Sequence, residues 1–197
     1  METHTAVNPV VLVGGRSSRF GRDKLLEPMA DGRPLVLRPI IALRSVFGPC
    51  VALVGRCDGR VADLGDRVID DPYPGAGPAG GIVAALEACG SAVFVLSGDL
   101  PSITPEAVRT IADTAARSPD AWACLGHTDR LEPCIGIYRP AALEALRQTM
   151  RAGSSLFGAV PTSHLVRVPI DRACAVNVNR PDDLPGPRAG MRSPGRS

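Results

Sequence analysis

Residues 10–24 read VVLVGGRSSRFGRDK, an apolar run that ends in two glycines and continues as a basic loop. An uninterrupted apolar run followed at once by a turn is typical of a strand covered on both faces, as in a parallel sheet. Similar runs recur at 51–54, 68–69, 92–96, 134–138 and 164–169, each followed by turn residues and a segment of helical periodicity. Strands that alternate with helices predict an α/β fold with a mostly parallel sheet.

The clearest helix signal follows residue 103. Thr104 is a suitable N-cap, Pro105 fits the first helical position, and apolar residues then recur at helical spacing. Further helices are predicted over 34–46, 80–88 and 140–150.

The chain length of 197 residues, with 45% apolar and 21% charged residues, fits one globular domain. A net charge of +2 with dispersed arginines argues against nucleic acid or a membrane surface as a partner. The N-terminal region does not resemble a signal peptide, and six cysteines without metal-type spacing indicate a reduced, cytoplasmic protein. We expect one domain over 1–185 and a disordered tail over 186–197; a basic arm for a partner is the alternative.

The loop after the first strand is the first candidate site, because ligands of open parallel sheets bind at the carboxyl ends of strands. Gly14 and Gly15 allow the backbone to approach a ligand closely, and Lys24 is the one lysine among 22 lysine and arginine residues. The loop fits neither a Walker motif nor a dinucleotide fingerprint. It predicts a phosphate-binding loop; the alternative is a glycine-rich turn with solvated arginines and a surface lysine.

A literal GxGxxG occurs at residues 75–80. Two prolines in the preceding residues, DDPYP, are incompatible with the strand that a dinucleotide fingerprint requires, so a nicotinamide or flavin site is not expected. Gly77 and Gly80 instead predict a loop whose amides, with the helix that follows, face a second part of the ligand.

The segment VFVLSGDLPSITPE places Asp99 just beyond the end of a buried strand. A single carboxylate there can hold Mg²⁺ against nucleotide phosphates, since this ion keeps most of its ligands as phosphate and water oxygens. The alternative is an Asx turn that satisfies local amides before Thr104.

The segment AVNVNRPDDL contains Asn177 and Asn179 in alternation with valines. On a strand both amides would point to one face. They therefore indicate either ligand contact or a pair that fixes a turn, and the sequence favours neither.

Together these segments resemble the molybdenum cofactor guanylyltransferase family of nucleotidyltransferases. LVGGRSSRFGRDK is similar to the family's LAGGxSxRMGxDK loop, and IDDP followed by GPAGG is similar to its acidic pair and GPLAG loop. SGDLPSI is similar to its CDxPF-like metal turn, and NVNRPDDL to its NVNTPEDL segment. The four motifs occur in the family's order over about residues 10–184.

The resemblance implies a Rossmann-like three-layer α/β/α sandwich of nucleotidyltransferase type, Mg²⁺ dependence, and transfer of GMP from GTP to the terminal phosphate of molybdopterin. It also implies transient contact with molybdoenzymes or their chaperones. The implied catalytic residues are Arg19, Lys24 and Asp99, with Asp99 as the metal ligand. The implied nucleotide-binding residues are Leu12, Val13, Gly14, Gly15, Lys24, Asp71, Gly77, Gly80 and Asp99. Asn177 and Asn179 fall on the acceptor side.

Three departures from the family pattern keep other interpretations open. Val13 replaces a smaller alanine, and the second strand ends in LVGR without an asparagine that some members use on the nucleoside. EPCIGIY, from Glu132, stands where typical members have a His or Pro–Leu pattern lining the acceptor side. The alternatives are a related cytidylyl- or sugar-phosphate nucleotidyltransferase and a non-catalytic GTP-binding adaptor.

Overall fold

The structure is a computed structural model that describes residues 7–14, 24–73, 75–178 and 183. Within these residues one sheet contains seven strands: β1 (Asn8–Leu12), β2 (Ala52–Val54), β3 (Arg67–Ile69), β4 (Val93–Ser97), β5 (Ala123–His127), β6 (Leu131–Tyr138) and β7 (Leu165–Pro169). The α-helices are α1 (Leu37–Phe47), α2 (Gly59–Ala62), α3 (Pro78–Cys89), α4 (Pro105–Ala116) and α5 (Leu143–Arg151). The predicted tail over 186–197 lies outside the described residues.

The strand order is β3-β2-β1-β4-β6-β5-β7, and β6 alone runs antiparallel to its neighbours in this sheet of the described residues. The chain moves outward from β1 to β3 and then returns to place β4 on the other side of β1. The connection that follows β1 and the connection that follows β4 therefore leave the sheet in opposite directions. They separate at the carboxyl ends of these strands, where Leu12 pairs with Ser97. In open α/β sheets such a switch point forms the crevice that binds ligands.

Helices cover both faces of the sheet. Side chains of α1 and α4 pack with Val11 in one hydrophobic cluster, and those of α3 and α5 pack with Val10 in another. Consecutive residues of a strand point to opposite faces, so β1 contributes to both layers of the core. The predicted three-layer α/β/α sandwich with a mostly parallel sheet is confirmed.

Two strand predictions differ from the structure. The run 134–138 looked like the other strands, but it belongs to the antiparallel β6, because continuous hydrophobicity reports burial on both faces and carries no information on direction. β5 was not predicted, although it lies beside β6 and is buried from Ala123 to Gly126. A hairpin joins the two strands through residues 128–130.

The helices differ from prediction mainly at their first residues. α3 begins at Pro78 rather than at residue 80, with proline at its first position, where the missing N–H costs no hydrogen bond. The segment from residue 140 opens as a 3-10 turn, Pro140–Ala142, before α5 begins. Among the described residues, no helix has both the length and the apolar character needed to cross a membrane.

Candidate active site

Lys24 and Asp99 lie 75 positions apart in the chain and meet at the switch point. Lys24 opens a 3-10 turn, Lys24–Leu26, and its Nζ donates a hydrogen bond to Asp99 Oδ2 at 2.6 Å. The same ammonium donates to the carbonyl oxygen of Val178 at 3.1 Å. The lone lysine therefore joins the loop after β1, the turn after β4 and the C-terminal segment.

The Asp99 carboxylate is buried and held in one orientation. It is 8% exposed, and its Oδ1 accepts a hydrogen bond from Ser97 Oγ at 2.6 Å while Lys24 binds Oδ2. The backbone of the same residue accepts from the Val178 amide at 3.0 Å. In the described residues the carboxylate accepts no hydrogen bond from the amides that follow it, and Thr104 caps α4 itself. The Asx turn that was the alternative interpretation of Asp99 is therefore not formed among the described residues.

Close backbone contacts explain two glycines beside this pair. A Cβ on Gly14 would lie 3.3 Å from the Gly55 Cα, and a Cβ on Gly55 would lie 2.7 Å from the Gly14 Cα. Gly55 also has a φ of 103°, which L side chains rarely adopt. The Gly14 amide donates to the Val54 carbonyl at 3.2 Å, so this glycine serves the packing of two strand ends.

Asp71, Gly77 and Gly80 form a second corner of the crevice, at the amino end of α3. Asp71 Oδ1 accepts from the Tyr73 amide at 2.9 Å, and a Cβ on Gly80 would lie 3.1 Å from that same oxygen. Gly77, with a φ of 60°, precedes the first turn of α3. The positive end of this helix therefore opens next to the aspartate, where it attracts the negative charge of the carboxylate.

A cavity of about 330 Å³, which we call the central cavity, lies between the start of α3 and β6. Its lining comprises Ala76, Pro78, Ala79, Leu100, Arg130, Glu132, Pro133, Cys134, Ile135, Ser154, Ser155, Leu156, Phe157 and Asn177. A flanking cavity of similar size shares Arg130, Glu132 and Asn177 with it. Leu100, the residue after Asp99, is part of this lining, so space for a second ligand group adjoins the turn that carries Asp99.

Cys134 is a neutral thiol within this cavity. Burial raises its pKa to about 12, and the negative charges of Asp99 and Glu132 act in the same direction. A thiol with this pKa is protonated near neutral pH and is a poor nucleophile. The site therefore offers charge and position rather than a cysteine nucleophile.

A divalent cation would depend on Asp99. The described residues contain no group of three or more His, Cys, Asp or Glu side chains placed to hold a metal ion. A lone oriented carboxylate still fits Mg²⁺, which takes one or two protein oxygens and fills its remaining positions with phosphate and water. This donor set suits a cation that arrives with a polyphosphate.

The structure places the residues singled out in the sequence in two groups. One group, at the ends of β1 and β4, comprises Leu12, Val13, Gly14, Lys24 and Asp99, with Asn177 next to the Val178 contact. The other comprises Asp71, Gly77 and Gly80. Gly15, Arg19 and Asn179 lie outside the described residues.

Sequence reasoning missed two contributions to this site. Ser97 orients Asp99, and its spacing of two residues from the aspartate in LSGD was the available signal. The Val178 backbone contacts both Lys24 and Asp99, and a pattern of side chains in the sequence does not predict a backbone contact of this kind.

A lysine and a buried carboxylate that meet at the switch point of a mostly parallel sheet fit an α/β enzyme that binds phosphorylated nucleotides. More particularly, residues 9–163 match the sequence model of the MobA-like NTP transferase domain, so the chain belongs to that family. This confirms the family indicated by the four motifs.

Relatives of similar length support the assignment. A protein of Chloroflexus aggregans named a probable molybdenum cofactor guanylyltransferase is 30% identical over 200 residues, covering 93% of this chain and 94% of the relative. One of Thermococcus gammatolerans with the same name is 35% identical over 186 residues, covering 88% of this chain and 95% of the relative. The fold alone is shared with the crystal structure of molybdopterin-guanine dinucleotide biosynthesis protein A from Archaeoglobus fulgidus, which has a TM-score of 0.70 at 24% identity and covers 90% of this chain and 95% of that chain.

Proposed function

We propose that the protein transfers GMP from GTP to the terminal phosphate of molybdopterin and releases pyrophosphate. The Lys24–Asp99 pair at the switch point carries this proposal, because it brings a phosphate-binding cation and a metal-binding carboxylate to one place. Membership of the MobA-like family and the names of relatives that span the chain support the choice of base and acceptor. Both substrates are intracellular metabolites, in line with a cytoplasmic location.

The reaction needs positioning and charge more than acid–base groups. An oxygen of the acceptor phosphate forms a bond to the α-phosphorus of GTP, and the bond between the α-phosphorus and the bridging oxygen breaks as pyrophosphate leaves. A phosphate monoester is already anionic near neutral pH, so no base has to remove a proton. The neutral thiol of Cys134 is compatible with this chemistry.

Asp99 is the residue that would hold the divalent cation on which this family generally depends, and we propose Mg²⁺. The cation supplies charge neutralisation for the phosphate oxygens when it is bound. Ser97 fixes one carboxylate oxygen, so the other is presented in a defined direction. Only one protein carboxylate is required for this role.

Lys24 takes the nucleotide phosphates in this proposal, together with Arg19. Its ammonium now lies 2.6 Å from Asp99, so the pair has to separate, at least partly, when a cation occupies the carboxylate. The ammonium stands at the end of the glycine-rich loop, where a compact point charge can reach a phosphate oxygen that a planar guanidinium would crowd. The charge it neutralises grows as the leaving phosphate departs, so its effect falls mainly on the rate.

The remaining residues divide between the two substrates. We assign Leu12, Val13, Gly14 and Gly15 to the nucleotide, together with Asp71, Gly77 and Gly80 at the start of α3. We assign Asn177 and Asn179 to the acceptor. Contact with molybdoenzymes or their chaperones would serve delivery of the product and is part of the same proposal.

The test is the product formed by the purified protein with Mg²⁺, molybdopterin and each of GTP, CTP, UTP and ATP. We expect pyrophosphate release with GTP that requires the acceptor, and no release from Asp99→Asn, whose amide resembles the carboxylate in size. Preference for another nucleotide would select the related cytidylyl- or sugar-phosphate enzyme. Tight GTP binding without pyrophosphate for any acceptor would select the adaptor.

A further inference from the structure

The central cavity begins where the metal-binding turn ends. Leu100, the residue after Asp99, lines it, and the Asp99 charge acts on the Cys134 thiol inside it. A volume of about 330 Å³ is at the lower end of the range of about 300 to 1,000 Å³ for ligand pockets. The space suits one bicyclic ring whose attached phosphate extends toward Asp99.

Glu132 provides a carboxylate in the wall of this cavity. Its side chain is only 12% exposed, and its Oε1 accepts hydrogen bonds from Thr128 Oγ1 and Arg130 Nε, both at 3.1 Å. Among the described residues Oε2 accepts none, so this oxygen remains available to a ligand donor. A ligand without a matching N–H would leave this poorly hydrated oxygen without a partner, which costs binding free energy. The carboxylate therefore favours ligands that carry the N–H.

Phe157 provides a flat apolar surface at the same cavity. It is 53% exposed, and it is the one aromatic side chain among the described lining residues. Its backbone amide donates to Ser155 Oγ at 3.3 Å, within the short 3-10 turn Leu156–Gly158. Exposed rings beside a cavity gain by covering a flat ligand, because stacking adds to the burial of apolar area.

We propose that the central cavity binds the pterin ring of the acceptor, with Glu132 accepting a hydrogen bond from its 2-amino group and Phe157 covering a ring face. The inference rests on the proposed function, since it names the group that recognises the acceptor at the same site. The amino group is a donor and so matches Oε2, which accepts no hydrogen bond from the part of the chain that the structure describes. A sugar ring fits less well, because its several hydroxyls need many polar partners, whereas most lining residues are apolar.

The experiment compares two small ligands, pterin and lumazine, by equilibrium dialysis without nucleotide. Lumazine has the same bicyclic ring but carries an oxygen in place of the 2-amino group, so it directs an acceptor at the Glu132 carboxylate. We expect the native chain to bind pterin about tenfold or more tightly than lumazine. Glu132→Gln should abolish that preference, because an amide can donate to the oxygen of lumazine.

Two further variants separate recognition from general damage. Phe157→Leu should weaken both ligands by about three- to tenfold and keep the preference for pterin, since the ring contributes stacking only. Glu144→Gln removes a carboxylate from the exposed side of α5 and should leave both affinities unchanged. The affinity for Mg²⁺–GTP should be the same in all four proteins.

The outcomes distinguish this inference from the proposed function. Equal affinity of the native chain for the two ligands, or no saturable binding of pterin, would overturn the inference even if GMP transfer to molybdopterin were observed. A preference that survives in Glu132→Gln would overturn the assignment of Glu132. If the native chain prefers pterin, Glu132→Gln loses that preference, and the native chain transfers no GMP, the pterin site is supported and the proposed function is overturned.

Discussion

Replacement of the lone lysine by methionine should change metal binding and catalysis in opposite directions. Lys24→Met keeps an unbranched side chain of similar length and removes the ammonium that donates to Asp99 Oδ2 at 2.6 Å and to Val178 at 3.1 Å. In the native chain a divalent cation has to displace this ammonium from the carboxylate. In the variant it meets no competitor.

The magnitude follows from the contact that is lost. A hydrogen bond to a charged group contributes about 1.5 to 3 kcal/mol. The lysine side chain is 21% exposed and the aspartate side chain 11%, so solvent screens the pair in part and the lower value applies. About 1.4 kcal/mol corresponds to a factor of ten, so we expect Mn²⁺ to bind the nucleotide-free variant about tenfold more tightly.

The transfer rate should fall in the same protein by about a hundredfold or more, because one preorganised contact to the developing charge is missing. Metal binding is measured by the electron paramagnetic resonance signal of free Mn²⁺, and the rate by pyrophosphate release. Arg167→Met, which removes an exposed charge from β7, is the matched control and should change neither quantity. A folded Lys24→Met protein with unchanged or weaker Mn²⁺ binding would refute the competition between lysine and metal at Asp99.

Three other changes test the surroundings of this pair. Ser97→Ala removes the hydrogen bond to Asp99 Oδ1 and should raise the Mg²⁺ concentration needed for half-maximal turnover by about three- to tenfold; an unchanged requirement would contradict the orienting role. Gly55→Ala places a Cβ 2.7 Å from the Gly14 Cα at a φ of 103°, and urea unfolding should show a loss of about 2 kcal/mol or more, whereas native-like stability would mean the two backbones can separate easily. With its pKa raised to about 12, Cys134 should resist iodoacetamide at pH 8 while exposed Cys50 is alkylated, and equal labelling by peptide mass spectrometry would argue against a neutral thiol at Cys134.

The meeting of the carboxyl ends of β1 and β4 was predictable because it follows from chain direction. A strand that ends in a glycine-rich loop and another that ends in Asp99 must both open on one edge of a parallel sheet, and the structure places both ends at the switch point. The orientation of β6 was not predictable in this way, since its apolar residues would satisfy either direction.

The contact between Lys24 and Asp99 could not be read from the sequence. The two residues were assigned to different ligands, a phosphate and a metal ion, and nothing in either motif indicates that the side chains meet in the free protein. The contact requires Lys24, the turn after β4 and the Val178 backbone to come together from distant parts of the chain. Such arrangements are set by tertiary packing between distant segments rather than by local pattern.

The most direct test of nucleotidyl transfer follows the phosphates of GTP separately. The purified protein is incubated with Mg²⁺, molybdopterin and GTP that is radiolabelled either at the α-phosphate or at the γ-phosphate. We predict that the α-label appears in the acceptor product, that the γ-label appears in pyrophosphate, and that Asp99→Asn yields neither. Transfer of the γ-label to the acceptor, or its release as inorganic phosphate, would contradict attack at the α-phosphorus.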